Sequence, residues 1–194
     1  MFRSLTSQLA QAGGANQADA KKSIAPSLRG DIYNTIDQAR SWLAGGAGSL
    51  GQAGDGVAYK TILATVQKHF PDTKLGLELV GSAENEAAVI VGGVTNMILE
   101  MSKWEGMAGG MAARTWADGL VEAHARIGDA KRKDQIARGI AKGVNQNTDV
   151  TLLTQEFAAK IQIISCLKTV STRIFGSGSP EARQGEALWS AKLL

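Results

Sequence analysis

The sequence predicts a mainly α fold: a bundle of four to five helices with an extended N-terminal arm and a short C-terminal tail helix. Three observations carry that expectation. Apolar residues recur at three- and four-residue spacing over most of the chain. Only 3 prolines stand against 23 glycines, so the breaks between helices are flexible rather than stiff. A single segment, 74–80, alternates with period two, and no second strand is in evidence to pair with it. At 194 residues, 44% of them hydrophobic and 20% charged, the chain can bury the core of one domain. It divides into an arm (1–26), a helical domain (27–176) and a tail (177–194).

Residues 10–26 hold Ala, Gly, Asn, Gln and Lys with almost no large apolar group. They cannot offset their own ordering entropy, so a partner is the simplest agent to hold them. Upstream, Met1-Phe2-Arg3-Ser4-Leu5-Thr6-Ser7-Gln8-Leu9 has no acidic residue, and none occurs before Asp19. That pattern fits a weak organelle presequence or a partner-docked arm, and the arm is preferred. The stretch lacks the apolar core of a secretory signal, so an intracellular setting is the default, with incorporation into an exported or viral particle left open. No window is apolar enough for a transmembrane segment.

The first helix is expected from Leu28 to Ala44, with Ile32, Ile36, Ala39 and Leu43 on one side, Trp42 beside them, and Gly45-Gly46 as the stop. After a Gly-rich loop, a second helix runs from Val57 to Phe70. Its face is Tyr59, Ile62, Leu63, Val66 and Phe70, and Pro71 ends it. Leu75, Leu77 and Leu79 then mark an extended connector.

The strongest pattern lies in Ala83–Glu105. Ala87, Ile90, Val94, Met97, Met101 and Trp104 follow a 3-4-3-4-3 spacing, a seam of heptad type widened by Val91 and Ile98. Ser82 is placed to cap it, and Glu84 and Glu86 suit its positive end. Gly92-Gly93 inside it each cost about 1 kcal/mol relative to alanine, which close helix approach would offset. Residues 106–110 (GMAGG) are expected to break or bend the chain. A helix from Met111 to Ile127 follows, then a basic segment from Asp129 to Lys142 and a polar loop, 143–147. One long helix is expected over Thr148–Phe175, its apolar side formed by Val150, Leu153, Phe157, Ile161, Ile164, Leu167 and Ile174. Residues 176–179 end it, and Pro180 opens the tail helix with Leu188, Trp189 and Leu193.

Chemical motifs are few. One cysteine excludes an intrachain disulfide and a multi-cysteine metal site, and two distant histidines exclude a His-rich one. Gly46-Ala47-Gly48-Ser49-Leu50-Gly51 matches a phosphate-cradling pattern, but a helix rather than a strand enters it, so it reads as a loop. Ser165-Cys166-Leu167-Lys168 matches S-x-x-K without the companion elements of such enzymes, and reads as an ordinary helix turn. Cys166 reads as a buried structural thiol, and His69 and His124 as structural or solvent-facing. No catalytic residue, metal or cofactor is implied.

Charge is uneven. Arg126, Lys131, Arg132, Lys133, Arg138 and Lys142 stand against Asp129 and Asp134, whereas the whole chain carries only +3. The cluster reads as a solvated face or as a nucleic-acid backbone contact. It contains no aromatic residue for base stacking.

Two stretches resemble known families. LLTQEFAAKIQIISCLKTVSTRIF, from Leu152, is similar to the C-terminal helix of type III secretion rod, needle and filament subunits, although 19 residues follow Phe175 here. Phe70-Pro71-Asp72 resembles the Phe-Pro-Asp stretch of rod-shaped virus coat proteins. Both resemblances imply self-assembly, and neither transfers a functional residue.

The sequence therefore ranks three functions. The first is a non-enzymatic structural subunit, a homo-oligomer or part of a larger filament- or shell-like complex, packing through Ile90, Val94, Met97, Met101, Trp104, Phe157, Ile164 and Trp189. The second is a coat or nucleocapsid protein holding nucleic acid through the basic cluster. The third is a helical enzyme whose site is assembled from distant residues.

Overall fold

The structure is a computed structural model describing residues 13–45, 53–70 and 82–193. Residues 1–12 of the arm, the glycine pattern at 46–51 and the 74–80 connector lie outside the described residues. The fold is mainly α. Seven α-helices are described: α1 (Gly13–Leu43), α2 (Ala53–His69), α3 (Ala83–Trp104), α4 (Gly106–Ala125), α5 (Ala130–Asn145), α6 (Phe157–Phe175) and α7 (Pro180–Ser190). Short 3-10 turns occupy Val150–Leu152 and Ala191–Leu193, and no strand occurs among the described residues.

Helix α3 is the hub. Its seam is fully buried at Ala87, Ile90, Val94, Met97 and Met101 because α1, α2, α4 and α5 pack around it. The start forms as its residues dictate: Ser82 Oγ accepts from the Asn85 amide at 3.2 Å, and Glu84 and Glu86 lie in the first turn. Helix α4 returns antiparallel along α3, with the buried Trp116 indole N–H donating to Thr95 Oγ1 at 3.0 Å. Helix α1 runs parallel to α4, joined by Arg29–Glu105 at one end and Arg40–Glu122 (2.6 Å) further along. It buries Leu28, Ile32, Ile36, Ala39 and Leu43, the stripe its spacing predicts.

Three element boundaries differ from expectation. Helix α1 starts at Gly13 rather than near Leu28, so 13–26 is helical in backbone; extending a helix already held in a bundle avoids a new nucleation cost. Residues 106–110 do not break the chain. Glu105 alone makes the reversal, and the glycines enter α4 as packing positions, with Gly109 against Ser102 and Gly110 against Gln162. The helix expected over Thr148–Phe175 is split. Asp149 Oδ1 accepts from the Thr151 amide (3.0 Å) and Thr154 Oγ1 from the Glu156 amide (3.2 Å), local side-chain bonds that compete with a helix.

Helices α3 and α5 approach closely. A Cβ on Gly139 would lie 2.4 Å from the Glu84 carbonyl oxygen and 2.6 Å from Ala87 Cβ. Gly139→Ala is therefore expected to lower stability by about 1–3 kcal/mol although alanine favours the helix. Gly30, exposed in α1 with nothing within 4 Å of such a Cβ, is the control. Gly30→Ala should stabilise by about 0.5–1 kcal/mol. Opposite signs in denaturant melts confirm the packing; a stabilising Gly139→Ala refutes it.

Candidate functional site

Helix α5 carries most of the basic cluster. Asp129 Oδ2 caps it, accepting from the Arg132 amide at 2.9 Å, and Ile136, Ile140 and Val144 face the core. Arg132 lies one turn before Ile136 on that same side and is only 5% exposed. Its Nη2 donates to the Trp42 carbonyl at 2.8 Å, and its guanidinium carbon lies 5.6 Å from the Trp42 ring centroid. This corrects the expectation for Arg132: its head group is committed to the end of α1 and is not offered to a phosphate.

Two more of the cluster are neutralised. Arg138 Nε donates to Glu84 Oε2 at 3.0 Å and also pairs with Asp134, while Lys142 Nζ lies 2.5 Å from Glu84 Oε1. The Lys142 bond, helped by Arg138 and opposed by burial, holds the Glu84 carboxyl below its ordinary 4.5. A carboxylate depressed on folding stabilises above its unfolded pKa, and that contribution is lost as pH falls through the folded value. Glu84→Gln should therefore shrink the gap between denaturation midpoints at pH 7 and pH 3, and an unchanged gap would contradict the coupling. Arg126 and Lys131 remain exposed and Lys133 half-buried, without a carboxylate in ion-pair range among the described residues.

The expected packing residues separate into two groups. Ile90, Val94, Met97, Met101, Ile164 and Trp189 are buried inside this one chain, and Trp104 is half-buried. The seam expected to pack against other molecules is covered by the chain's own helices. Phe157, by contrast, is 67% exposed. With Met107, Met111 and Ile161 it makes four of the five large apolar side chains exposed among the described residues.

Helices α4 and α6 run parallel and in register, so these four stand at the same end of the pair. Gly106 meets Glu156 and Ala159 at one end, and Asp118 accepts from Arg173 Nη1 at 2.8 Å near the other. Met107 and Met111 lie in the first two turns of α4, and Phe157 and Ile161 in the first two of α6. Beside them, between α1 and α4, opens a groove of about 560 Å³ lined by Tyr33, Trp104, Met107 and Met111 and rimmed by Arg29, Glu105 and Glu156.

The histidines have company the sequence did not reveal. His69 Nε2 lies 2.8 Å from Asp31 Oδ2, and Lys68 Nζ donates to the same oxygen at 2.9 Å. The Lys68 bond, with His69 assisting and burial opposing, keeps the Asp31 carboxyl below its ordinary value. Asp31 precedes His69 by 38 positions, so no local spacing signals the pair. Burial, with the Lys133 ammonium nearby, pushes the His124 pKa down. Burial raises the Cys166 thiol. Lys168 reaches toward Glu186 at 3.8 Å, and no bond joins it to the exposed Ser165. Among the described residues no three metal-binding side chains gather, and no described helix is long and apolar enough to cross a membrane.

The chain matches no protein-family model, no curated protein and no solved structure.

Proposed function

We propose that this chain is a structural subunit that associates with copies of itself or with companion subunits in a larger assembly. The observation that supports it is the apolar end of the α4–α6 pair. Singly exposed apolar residues are ordinary on any surface. Here Met107 with Met111, and Phe157 with Ile161, stand four residues apart on two adjoining helices, so each helix presents an exposed apolar ridge, and that of α4 borders a groove. Burying such ridges against another molecule favours association at roughly 25 cal/mol per Å² of apolar area removed from water.

The test is sedimentation velocity of the purified full chain across concentration. Wild type should gain mass with concentration. Met107→Glu and Phe157→Glu should each weaken association about tenfold or more, while helicity and melting temperature hold because both side chains are exposed. A wild-type chain that stays monomeric at high concentration without partners would overturn the reading. Nucleic acid copurifying with the particle, read from the 260/280 nm ratio, would favour the coat-protein form of the same reading. Arg126, Lys131 and Lys133 would then be the contacts.

A further inference from the structure

The groove between α1 and α4 has a chemical character that narrows what fits it. Tyr33, Trp104, Met107 and Met111 give it apolar and aromatic walls. Arg29 and Glu105 on the rim neutralise one another. Glu156 has no ion-pair partner among the described residues, so the rim carries one uncompensated negative charge beside an apolar trough. Such a site favours a short segment with large apolar side chains on one side and a cation next to them.

The N-terminal stretch is such a segment and, unlike 74–80, where Glu78 offsets Lys74, it carries no acid. Phe2, Leu5 and Leu9 fall at helical spacing, Arg3 adjoins Phe2, and no acidic residue occurs through residue 12. We infer that residues 2–9 of one copy dock in the α1–α4 groove of another copy, with Phe2, Leu5 and Leu9 against Trp104, Met107 and Met111 and Arg3 beside Glu156. The inference rests on the assembly reading and names the contact that builds it.

Chain length decides between a copy's own arm and its neighbour's. Helix α1 is continuous from Gly13 to Arg29 on the groove rim, roughly 24 Å at 1.5 Å per residue. Leu9 lies four residues before Gly13 and reaches at most about 14 Å back along the helix even fully extended. Leu5 reaches the rim only as a taut strand, which destroys the helical register that aligns it with Phe2 and Leu9. The whole apolar row therefore cannot be laid into its own groove, whereas a neighbour's row meets no such limit. Each subunit then gives one arm and receives one, a contact that repeats from copy to copy.

Charge reversal tests this on the full chain. Arg3→Glu and Glu156→Arg should each move the association midpoint to about tenfold higher concentration in sedimentation velocity. An equimolar mixture of the two variants should restore wild-type association, because each arm then finds an oppositely charged groove on the other variant. Met107→Glu, exposed on the groove wall, should weaken association in the mixture as well. Association of wild type that neither reversal disturbs would leave the assembly reading standing and overturn the arm contact. Restoration in the double variant R3E/E156R but not in the mixture would show the arm binding its own chain and overturn the exchange. A monomeric wild type would end both.

Discussion

Replacing Trp189 by alanine is expected to cost about 3–5 kcal/mol of stability, the range for removing a fully enclosed indole. At this length that lowers the melting temperature by roughly 6–20 °C. Trp189 is 0% exposed, and with Ala182 and Gly185 it forms the buried side of α7, against α5 and α6. An 11-residue helix has little stability of its own, so α7 persists only while that side is docked. Asn145 helps hold it there, donating to Ser171 Oγ at 3.1 Å and to the Glu181 carbonyl at 3.2 Å, and so linking α5, α6 and α7. Two readouts separate loss of docking from a general loss of order. Trypsin should cut the alanine variant early at Arg183 and Lys192 while α3 and α4 remain protected. Trp189→Phe should lose only about 1–2 kcal/mol, because the indole Nε1 has no hydrogen-bond partner among the described residues and its removal strands nothing. An alanine variant melting within about 2 °C of wild type would show the tail to be a dispensable appendage.

What was legible follows the range of the interactions. Ser82 before an acidic turn, and Ser179 before Pro180, are local signals. Ser82 forms the expected cap, and Pro180 opens the tail helix as expected, where Ser179 Oγ accepts from the Ala182 amide at 3.1 Å. The seam on α3 is legible because Ala87, Ile90, Val94, Met97 and Met101 repeat one spacing, and it is buried as that spacing implies. Its partner was not legible. An apolar stripe specifies that something covers it, and here that something is the rest of the same chain.

The glycines at 106–110 look like a break in isolation. They read as packing positions only once Ser102, Glu156 and Gln162 lie opposite them. The apolar side expected of α6 is buried at Ile164 and Leu167 but not in the first two turns. Ile163 and Val170 join Ile164 and Leu167 on the buried side, whereas Phe157 and Ile161 stay outside. The Asp31–His69 pair had no sequence signal, because its members meet only through the antiparallel packing of α1 and α2. Arg132 did carry one. It stands four residues before Ile136 and eight before Ile140, the spacing of the buried stripe, yet a run of cations draws attention to charge rather than phase.

Arg132→Met is expected to destabilise the fold by about 2–3 kcal/mol. The methionine keeps an apolar stem of similar reach but gives up a charge-assisted bond to the Trp42 carbonyl, worth about 1.5–3 kcal/mol, and a cation stacked on the Trp42 ring, worth about 0.5–2 kcal/mol. Relief from burying a charge offsets part of that sum. Position adds to the cost. The Trp42 carbonyl, in the last turn of α1, accepts from the Gly45 amide (3.1 Å) as well as from Arg132, and the positive head group sits where the helix dipole is negative. Arg132→Lys should recover little, since a single ammonium lacks the planar fork that donates to a carbonyl while lying over a ring. Lys131→Met, one residue away and exposed, should change stability by less than about 0.5 kcal/mol. If the chain does bind nucleic acid, the same pair divides the other way: Lys131→Met should lower the salt slope by about 0.9 and Arg132→Met should leave it unchanged at a temperature where both remain folded. Equal effects of the two variants on stability would mean that Arg132 is a surface cation after all.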